Sequence, residues 1–244
     1  MKLIVVNSNS KGNAYALDSG KEILLLEAGC KMEDVKRTIG HRLQDVVGCI
    51  ITHEHGDHAK YAEQYAQNGV NVYGPDSLRK KKMFPYGKFT AIPEEKSITI
   101  GSFTFVAYEN YHDVKIYGYL VRHDDMGTLL FSTDTYKMGI YITGVSHFLI
   151  EANYSDELLK KNVWDGNINP KQADRIMLSH MSLEYAIKYL HECEAEKSSN
   201  IILCHLSERN SNPDDFMRCV TGAFGVPTYV AQKGTIVELN KQPI

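Results

Sequence analysis

The densest chemistry in this 244-residue chain is the run Ile50-Ile51-Thr52-His53-Glu54-His55-Gly56-Asp57-His58, where an apolar stretch leads directly into H-x-H-x-D-H. His53 and His55 are two residues apart, so in extended backbone both imidazoles project from one face. Gly56 is expected to permit a sharp turn, after which Asp57 and His58 open a helix and approach the same pocket from another side. Imidazole nitrogens joined by a carboxylate suit Zn²⁺, Mn²⁺ or Fe²⁺ at neutral pH. At this chain's own His and Asp frequencies the pattern arises by chance in about one chain in a thousand. Four such side chains gathered in an interior without a metal would carry a heavy desolvation cost.

Four residues do not complete two metal sites, and further donors are expected where apolar strands end. Asp134 follows Leu129-Leu130-Phe131-Ser132-Thr133, and His205 follows Ile201-Ile202-Leu203-Cys204. His112 lies just beyond the expected strand Phe103–Tyr108. His180 ends the run Ile176-Met177-Leu178-Ser179, read with these strand ends, and precedes a helix.

Strands are expected at Leu3–Val6, Tyr15–Leu17 and Glu22–Leu26, with Gly12 and Asn13 in a turn suited to positive φ. A helix follows at Met32–Ile39, a buried strand at Val46–Thr52, helical periodicity at Asp57–Gln67 and a short strand at Val70–Tyr73. Ser97–Ile100, Phe103–Tyr108, Ile116–Val121 and Thr128–Ser132 read as successive strands, many alternating apolar and polar residues as half-buried antiparallel strands do. His147–Glu151 and Ile201–Cys204 are expected strands, Leu183–Cys193 and Asp214–Ala223 helices, and Thr228–Leu239 the last two strands. This order fits an α/β fold of two sheets between helices, without the regular alternation of a doubly wound sheet. One domain over residues 1–244 is expected.

Composition narrows the function classes. Lys and Arg number 27 against 30 Asp and Glu, a formal charge of −3. That balance argues against binding long nucleic acid by bulk electrostatics, which needs a basic excess. Cys30, Cys49, Cys193, Cys204 and Cys219 are scattered, with no CxxC pair, and read as reduced thiols of a cytoplasmic protein. No apolar run of the roughly 18 residues needed to span a bilayer occurs, and the apolar start is too short for a signal peptide. No membrane association is expected.

The H-x-H-x-D-H run, followed in order by His112, Asp134 and His205, resembles the metallo-β-lactamase superfamily over the whole chain. The resemblance implies an αββα sandwich, two mixed β-sheets flanked by helices. It also implies two divalent ions, Zn²⁺ foremost and Mn²⁺ as an alternative. One would be held by His53, His55 and His112, the other by Asp57, His58 and His205, with Asp134 bridging. Glu27 departs from the family, which usually has Asp after the early apolar strand. The longer carboxylate could still orient metal ligands.

Within the superfamily, His55 and the chain length set this sequence apart from flavodiiron oxidoreductases, and Ala59-Lys60 from glyoxalase II-like thioesterases and persulfide dioxygenases. The lack of a signal peptide separates it from the exported lactamases, and its length from the large RNA-cleaving members. Ser8-Asn9-Ser10-Lys11-Gly12-Asn13-Ala14-Tyr15, Ser179-His180-Met181-Ser182 and the segment from His205 to Pro213 are similar to the small exonuclease-like members of the WalJ type. One branch of these, the anti-Pycsar phosphodiesterases, opens cyclic mononucleotides and silences an anti-phage defence signal.

The resemblance therefore implies hydrolysis of 3′,5′-cyclic mononucleotides to linear ones, with a DNA or RNA exonuclease of the same fold as the alternative and a non-catalytic nucleotide-sequestering protein as another. Two metals would clamp the phosphate and activate water. Asp57 is the candidate proton acceptor, and His180 the candidate general acid or phosphate contact. Ser207 and Asn210 are candidate phosphate donors, although polar residues in such a turn equally serve their own backbone. Tyr73–Phe89, with Arg79-Lys80-Lys81-Lys82, reads as a base-stacking lid or, with slight preference, as a solvated helix with an apolar underside. A homodimer is expected from the resemblance alone. His41, His123, His147 and His191 have no motif context.

Overall fold

The apolar runs become strands, and the strands assemble into two sheets packed face to face. The computed structural model describes residues 1–241, so the last three residues of the expected 1–244 unit lie outside the described residues. The first half contains β1 (Lys2–Asn9), β2 (Gly12–Asp18), β3 (Ile23–Leu26), α1 (Met32–Thr38), β4 (Val46–Ile50), α2 (Gly56–Ala59), α3 (Ala62–Gln67), β5 (Val72–Gly74), α4 (Ser77–Lys81) and β6 (Phe89–Ala91). Then come β7 (Ser97–Ile100), β8 (Phe103–Asn110), β9 (Ile116–His123), β10 (Gly127–Ser132) and β11 (His147–Glu151). The chain continues through α5 (Asp156–Trp164), α6 (Pro170–Ser179), α7 (Leu183–Glu192), β12 (Asn200–Cys204), α8 (Pro213–Phe224), β13 (Thr228–Val230) and β14 (Ile236–Glu238).

The first sheet has the order β14-β1-β2-β3-β4-β5-β6 and the second β13-β12-β11-β10-β9-β8-β7, seven strands each. Both are mixed. Hairpin-connected strands pair antiparallel, whereas β3 to β6 and β10 to β13 pair parallel, joined by helical crossovers except between β10 and β11, where a loop makes the connection. The expected sandwich of two sheets between helices is therefore observed. Parallel pairing places the carboxyl ends of neighbouring strands along one edge, where α/β folds build their sites. In register, Ser132 of β10 faces Ile150 of β11, and Glu151 faces Cys204 of β12.

Alternation along each strand divides the apolar residues between layers. In β3, Leu24 and Leu26 join Tyr15, Phe105, Tyr119 and Phe131 between the sheets. Ile23 and Leu25 face outward onto Val35 and Tyr65 beneath α1 and α3. Phe148 and Ile150 of β11 meet Leu190 and Phe216 beneath α7 and α8. A small satellite core, Tyr154, Leu159, Ile168 and Ala173, supports only α5 and α6.

Two expectations are corrected here. The helical periodicity over Asp57–Gln67 is interrupted between α2 and α3, where the Tyr61 backbone N–H donates to Ala28 O at 2.9 Å. Ile176–Ser179 is the last turn of α6 rather than a strand, and His180 is its C-cap. The helical period there turns Ala173 inward and leaves Met177 and Leu178 exposed, so four consecutive apolar or small residues mimic a strand while sitting on different helix faces. Neither α5 nor α6 is anticipated by the sequence reading. No helix among the described residues is long and apolar enough to cross a membrane.

Candidate metal centre

The motif loop leaves β4 between the two sheets and is clamped from both. Tyr119 Oη of β9 donates to Ile51 O at 2.7 Å, and the Tyr117 backbone N–H to Thr52 O at 3.0 Å. The Ala28 N–H, just beyond β3, donates to His58 O at 2.7 Å. Gly29 is required by this contact: a Cβ there would lie 1.8 Å from Asp57 O and 2.5 Å from Asn13 N. Gly12 is required for a similar reason, its Cβ position being 2.4 Å from Gly29 O. Gly56, expected to permit the sharp turn, has neither a positive φ nor an atom within 4 Å of a Cβ position. The turn is made by ordinary backbone at the start of α2.

Two sets of donors converge. His53, His55, His112 and Asp134 each offer one atom, all within 4.8 Å of one another, and Asp57, His58, Asp134 and His205 do the same. His55 Nδ1 and His112 Nε2 are 3.2 Å apart, and Asp134 Oδ2 lies 3.5 Å from His53 Nε2 and 2.9 Å from His58 Nε2. His205 Nε2 faces Asp57 Oδ2 at 3.3 Å. Asp134 thus stands between the sets. The donors fit divalent ions: His53 Nε2 is buried without a hydrogen-bond partner, a costly arrangement unless a Lewis acid takes its lone pair.

Two buried glutamates orient the donors. Glu27 Oε1 lies 3.4 Å from His58 Nδ1, and its two oxygens are each 3.3 Å from the Thr52 backbone N–H. The longer side chain at this position therefore comes to ion-pair distance of its imidazole, without a hydrogen bond between them. Glu151, at the end of β11, has Oε1 at 2.9 Å from His205 Nδ1 and 2.8 Å from His180 Nδ1. The sequence reading passed over Glu151. Its only signal was the one used for Asp134 and His205, a polar residue ending an apolar strand. Although Asp134, Glu151, His180 and His205 also gather within 4.8 Å, these short hydrogen bonds already engage the facing Nδ1 atoms, and the cluster is an orienting layer.

Backbone strain marks the same places. Glu27, Asp134 and His205 have φ of 68°, 50° and 54°, three of only six non-glycine residues with positive φ among the described residues. Each follows a strand. The left-handed conformation costs about 1–2 kcal/mol for an L-residue, and here it turns the side chain into the gap between the sheets.

Charges in the cluster are set by one another. Burial alone would favour the neutral forms of His58 and His205, but the Asp134 carboxylate beside them raises both well above the usual imidazole range. Burial would likewise raise Asp134, yet His205 and His58 hold it well below the usual carboxylate range. Asp57 is lowered against its own desolvation by hydrogen bonds from His205 and His58. His53 and His112 are lowered by burial, which keeps their lone pairs available at neutral pH. For His180, Glu151 overcomes desolvation and raises the pKa.

A cavity of about 300 Å³ opens over these donors, lined by His55, Asp57, His112, Asp134, His180 and His205 with Ser10, Asp113 and the α6 residues Gln172, Arg175, Ile176 and Ser179. Ser207 and Asn210 do not line it. Ser207 Oγ accepts the Asn210 backbone N–H at 3.2 Å, and Asn210 Oδ1 accepts from Asn162 at 2.8 Å. Both side chains hold their own loop together. The aromatic and basic stretch also stays outside: Phe84 stacks on Phe89 with centroids 4.7 Å apart, Arg79 lies over Phe89, and Leu78 is buried. This is the solvated helix with an apolar underside. His147 is tied to Asn200 and Met126 O, and His191 lies against Phe224.

The comparisons with known proteins agree with this architecture. Residues 9–159 match the model of the metallo-beta-lactamase superfamily. The exodeoxyribonuclease WalJ of Streptococcus pneumoniae is 26% identical over 233 residues, covering 86% of this chain and 83% of that protein. The exodeoxyribonuclease YycJ of Bacillus anthracis is 24% identical over 228 residues, covering 85% and 83%. Among solved structures, the metallo-beta-lactamase fold protein YhfI of Bacillus subtilis superposes with a TM-score of 0.77 at 16% identity, covering 97% of this chain and 99% of that one. Short-form human tRNase Z gives 0.65 at 14% identity, covering 99% and 100%. With the family matched over most of its length and a His/Asp donor cluster at the strand ends, the chain belongs to the metallo-beta-lactamase superfamily and is a metal-dependent hydrolase.

Proposed function

We propose that the protein is a binuclear phosphodiesterase that opens 3′,5′-cyclic mononucleotides to linear mononucleotides, acts in the cytoplasm as a homodimer and counters a cyclic-nucleotide anti-phage signal. The observation that carries the substrate class is the cavity. Its volume over the donors is about 300 Å³, at the small end of ligand pockets, and a groove of about 620 Å³ that shares His112 and Asp113 adjoins it. Among the twelve residues that line the cavity over the donors Arg175 is the one Lys or Arg, whereas a long polyanion is held by a series of such contacts.

In this reading His53, His55, His112 and Asp134 hold one ion, and Asp57, His58, His205 and Asp134 the other, Zn²⁺ or Mn²⁺. When bound, such a pair supplies Lewis acidity toward phosphate and makes water nucleophilic at neutral pH. Asp57, 22% exposed toward the cavity, accepts a proton from the attacking water. His180, with Nδ1 held by Glu151, donates a proton from Nε2 to the leaving oxygen. Ser207 and Asn210 take no part. The complete donor set favours turnover over sequestration.

A second reading, exonuclease action on DNA or RNA ends, is favoured by relatives named exodeoxyribonucleases that match more than four-fifths of the chain. The test is to incubate the Mn²⁺- or Zn²⁺-loaded protein with 3′,5′-cyclic mononucleotides, a cyclic dinucleotide and linear duplex DNA, and to resolve the products by chromatography. Metal-dependent appearance of linear mononucleotides from the cyclic ones is expected. DNA degradation with intact cyclic mononucleotides would move the protein to the second reading. Light scattering tests the dimer.

A further inference from the structure

The α6 helix is anchored to the second sheet at its C-terminal end, where Glu151 holds His180 and the Met181 backbone N–H, and the rest of it packs away from both sheets. It rests on α5 through the satellite core, with Ala173 buried there and Ile176 packed against it. Its start is set by Asn169, whose side chain accepts the Gln172 backbone N–H at 2.8 Å, and by Pro170 in the first turn. Gln172, Arg175, Ile176 and Ser179 line the cavity. Their spacing, i, i+3, i+4 and i+7, is that of a single helix face, so α6 presents one continuous stripe to the donors.

Arg175 stands out on that stripe. Arg37, Arg42, Arg79 and Arg218 are each held by a carboxylate of their own neighbourhood, and of the other arginines, Arg122, Arg175 and Arg209, Arg175 is the one that lines the cavity. Arg175 is exposed and has no ion-pair partner among the described residues. The preceding Asp174 lies about a hundred degrees away around the helix. Asp113, the other carboxylate at the rim, is within 3.4 Å of His55 Nε2 and 3.1 Å of His112 Nε2. The cavity's carboxylates, Asp57, Asp113 and Asp134, lie against imidazoles and none pairs with Arg175, so its guanidinium suits an anion brought by the ligand, and its fork of donors matches phosphate oxygens.

We propose that Arg175 is a substrate-binding residue that grips a non-bridging oxygen of the scissile phosphodiester, with Ser10 and Gln172 as neutral donors beside it. The assignment deepens the phosphodiesterase reading and rests on it for the substrate class. The α5–α6 pair is then the specificity element of the fold, mounted on a core separate from the one that positions the metal donors.

The test uses the metal-loaded full chain with Arg175→Gln and Arg175→Lys. The probes are bis(p-nitrophenyl) phosphate, a cyclic mononucleotide, a linear oligonucleotide and inorganic phosphate, the last followed by calorimetry. Arg175→Gln is expected to raise KM for both small diesters by roughly tenfold to a hundredfold, the range of a charge-assisted hydrogen bond, while kcat changes less. Phosphate affinity should fall by a similar factor and Arg175→Lys should restore part of it, with metal content and melting temperature unchanged. Unaltered KM and phosphate affinity would overturn the assignment. So would a loss confined to the oligonucleotide, since Arg175 would then hold a flanking phosphate. If the wild-type protein opens no cyclic mononucleotide but Arg175→Gln still weakens phosphate, the substrate reading fails and the Arg175 assignment stands.

Discussion

The two sheets contribute to the same centre in opposite ways. The first delivers His53 and His55 from the loop after β4 and Asp57 and His58 from the α2 turn that follows it, while the second delivers Asp134 after β10, Glu151 at the end of β11 and His205 after β12. In the loop, local backbone determines spacing, and the surrounding contacts hold the whole loop in place. In the second sheet no two of these residues are near in sequence, and only parallel register brings them together. Asp134 is where the contributions meet, within 3.5 Å of His53 and 2.9 Å of His58 from one sheet and 2.7 Å of His205 from the other.

Breaking the meeting point should have the largest effect. Asp134→Ala removes the carboxylate shared by both donor sets, and turnover is expected to fall roughly a thousandfold or more, as several kcal/mol of charge stabilisation is lost. Metal content measured on the same variant should fall too; retention of both ions and of activity would dissolve the link between the sheets. Glu151→Gln leaves every proposed ligand in place but weakens the anchor of His205 and His180. A loss of about 10- to 100-fold in kcat or metal affinity is expected, and an unchanged enzyme would confine the second sheet's contribution to Asp134 and His205.

The loop side is tested by stability. Gly29→Ala pushes a methyl group against the backbone of Asp57 and Asn13 and should destabilise by about 1–3 kcal/mol. Gly56→Ala, in open space, should be nearly neutral, although it sits inside the motif. A pair of melting curves checks both.

The smallest and most graded effect is in pH. Asp134 and Asp57 have lowered pKa values, so their stabilisation is present above the ordinary carboxylate pKa of about 4 and is lost as pH falls through the folded values. His58 and His205 have raised values, so theirs is complete below about 6.5 and disappears as pH rises through the folded values. Chelator-treated protein should therefore lose stability as pH falls below about 4, while above about 6.5 the loss from His58 and His205 is opposed by His53 and His112, whose lowered values favour the folded state there. Metal binding displaces those protons, so the stabilisation by added Zn²⁺ should grow as pH rises. A chelated protein whose stability does not fall below about pH 4 would contradict the lowered values assigned to Asp134 and Asp57.

Legibility in the sequence followed locality. The H-x-H-x-D-H loop could be read because its donors share a few consecutive residues. Asp134 and His205 could be read because an apolar strand ending in a ligand is a local pattern, and Glu151 has the same pattern but no motif to draw attention to it. His112 is legible as a donor just beyond the strand Phe103–Tyr108, and its place in one metal site comes from its order in the family resemblance. Its position against His55 depends on β8 and β9 crossing beneath the motif loop. Ser207 and Asn210 have the right chemistry, but their partners, including Asn162 on α5, could not be read locally. The α5–α6 pair is not legible in the sequence because its apolar residues are few, split between a four-residue core and solvent.

Residue order alone establishes which donors exist, that strands precede most of them, and that two sheets rather than one are expected. Alternating and helical periodicities are short-range consequences of backbone geometry, so they are written into consecutive residues. Tertiary structure alone decided that Glu27 comes to ion-pair distance of His58, that Glu151 joins His180 to His205, and that Arg175 faces the cavity without a carboxylate partner. Each of these depends on the register and separation of elements far apart in the chain. Packing of side chains across the sandwich sets those distances, and no local pattern encodes them.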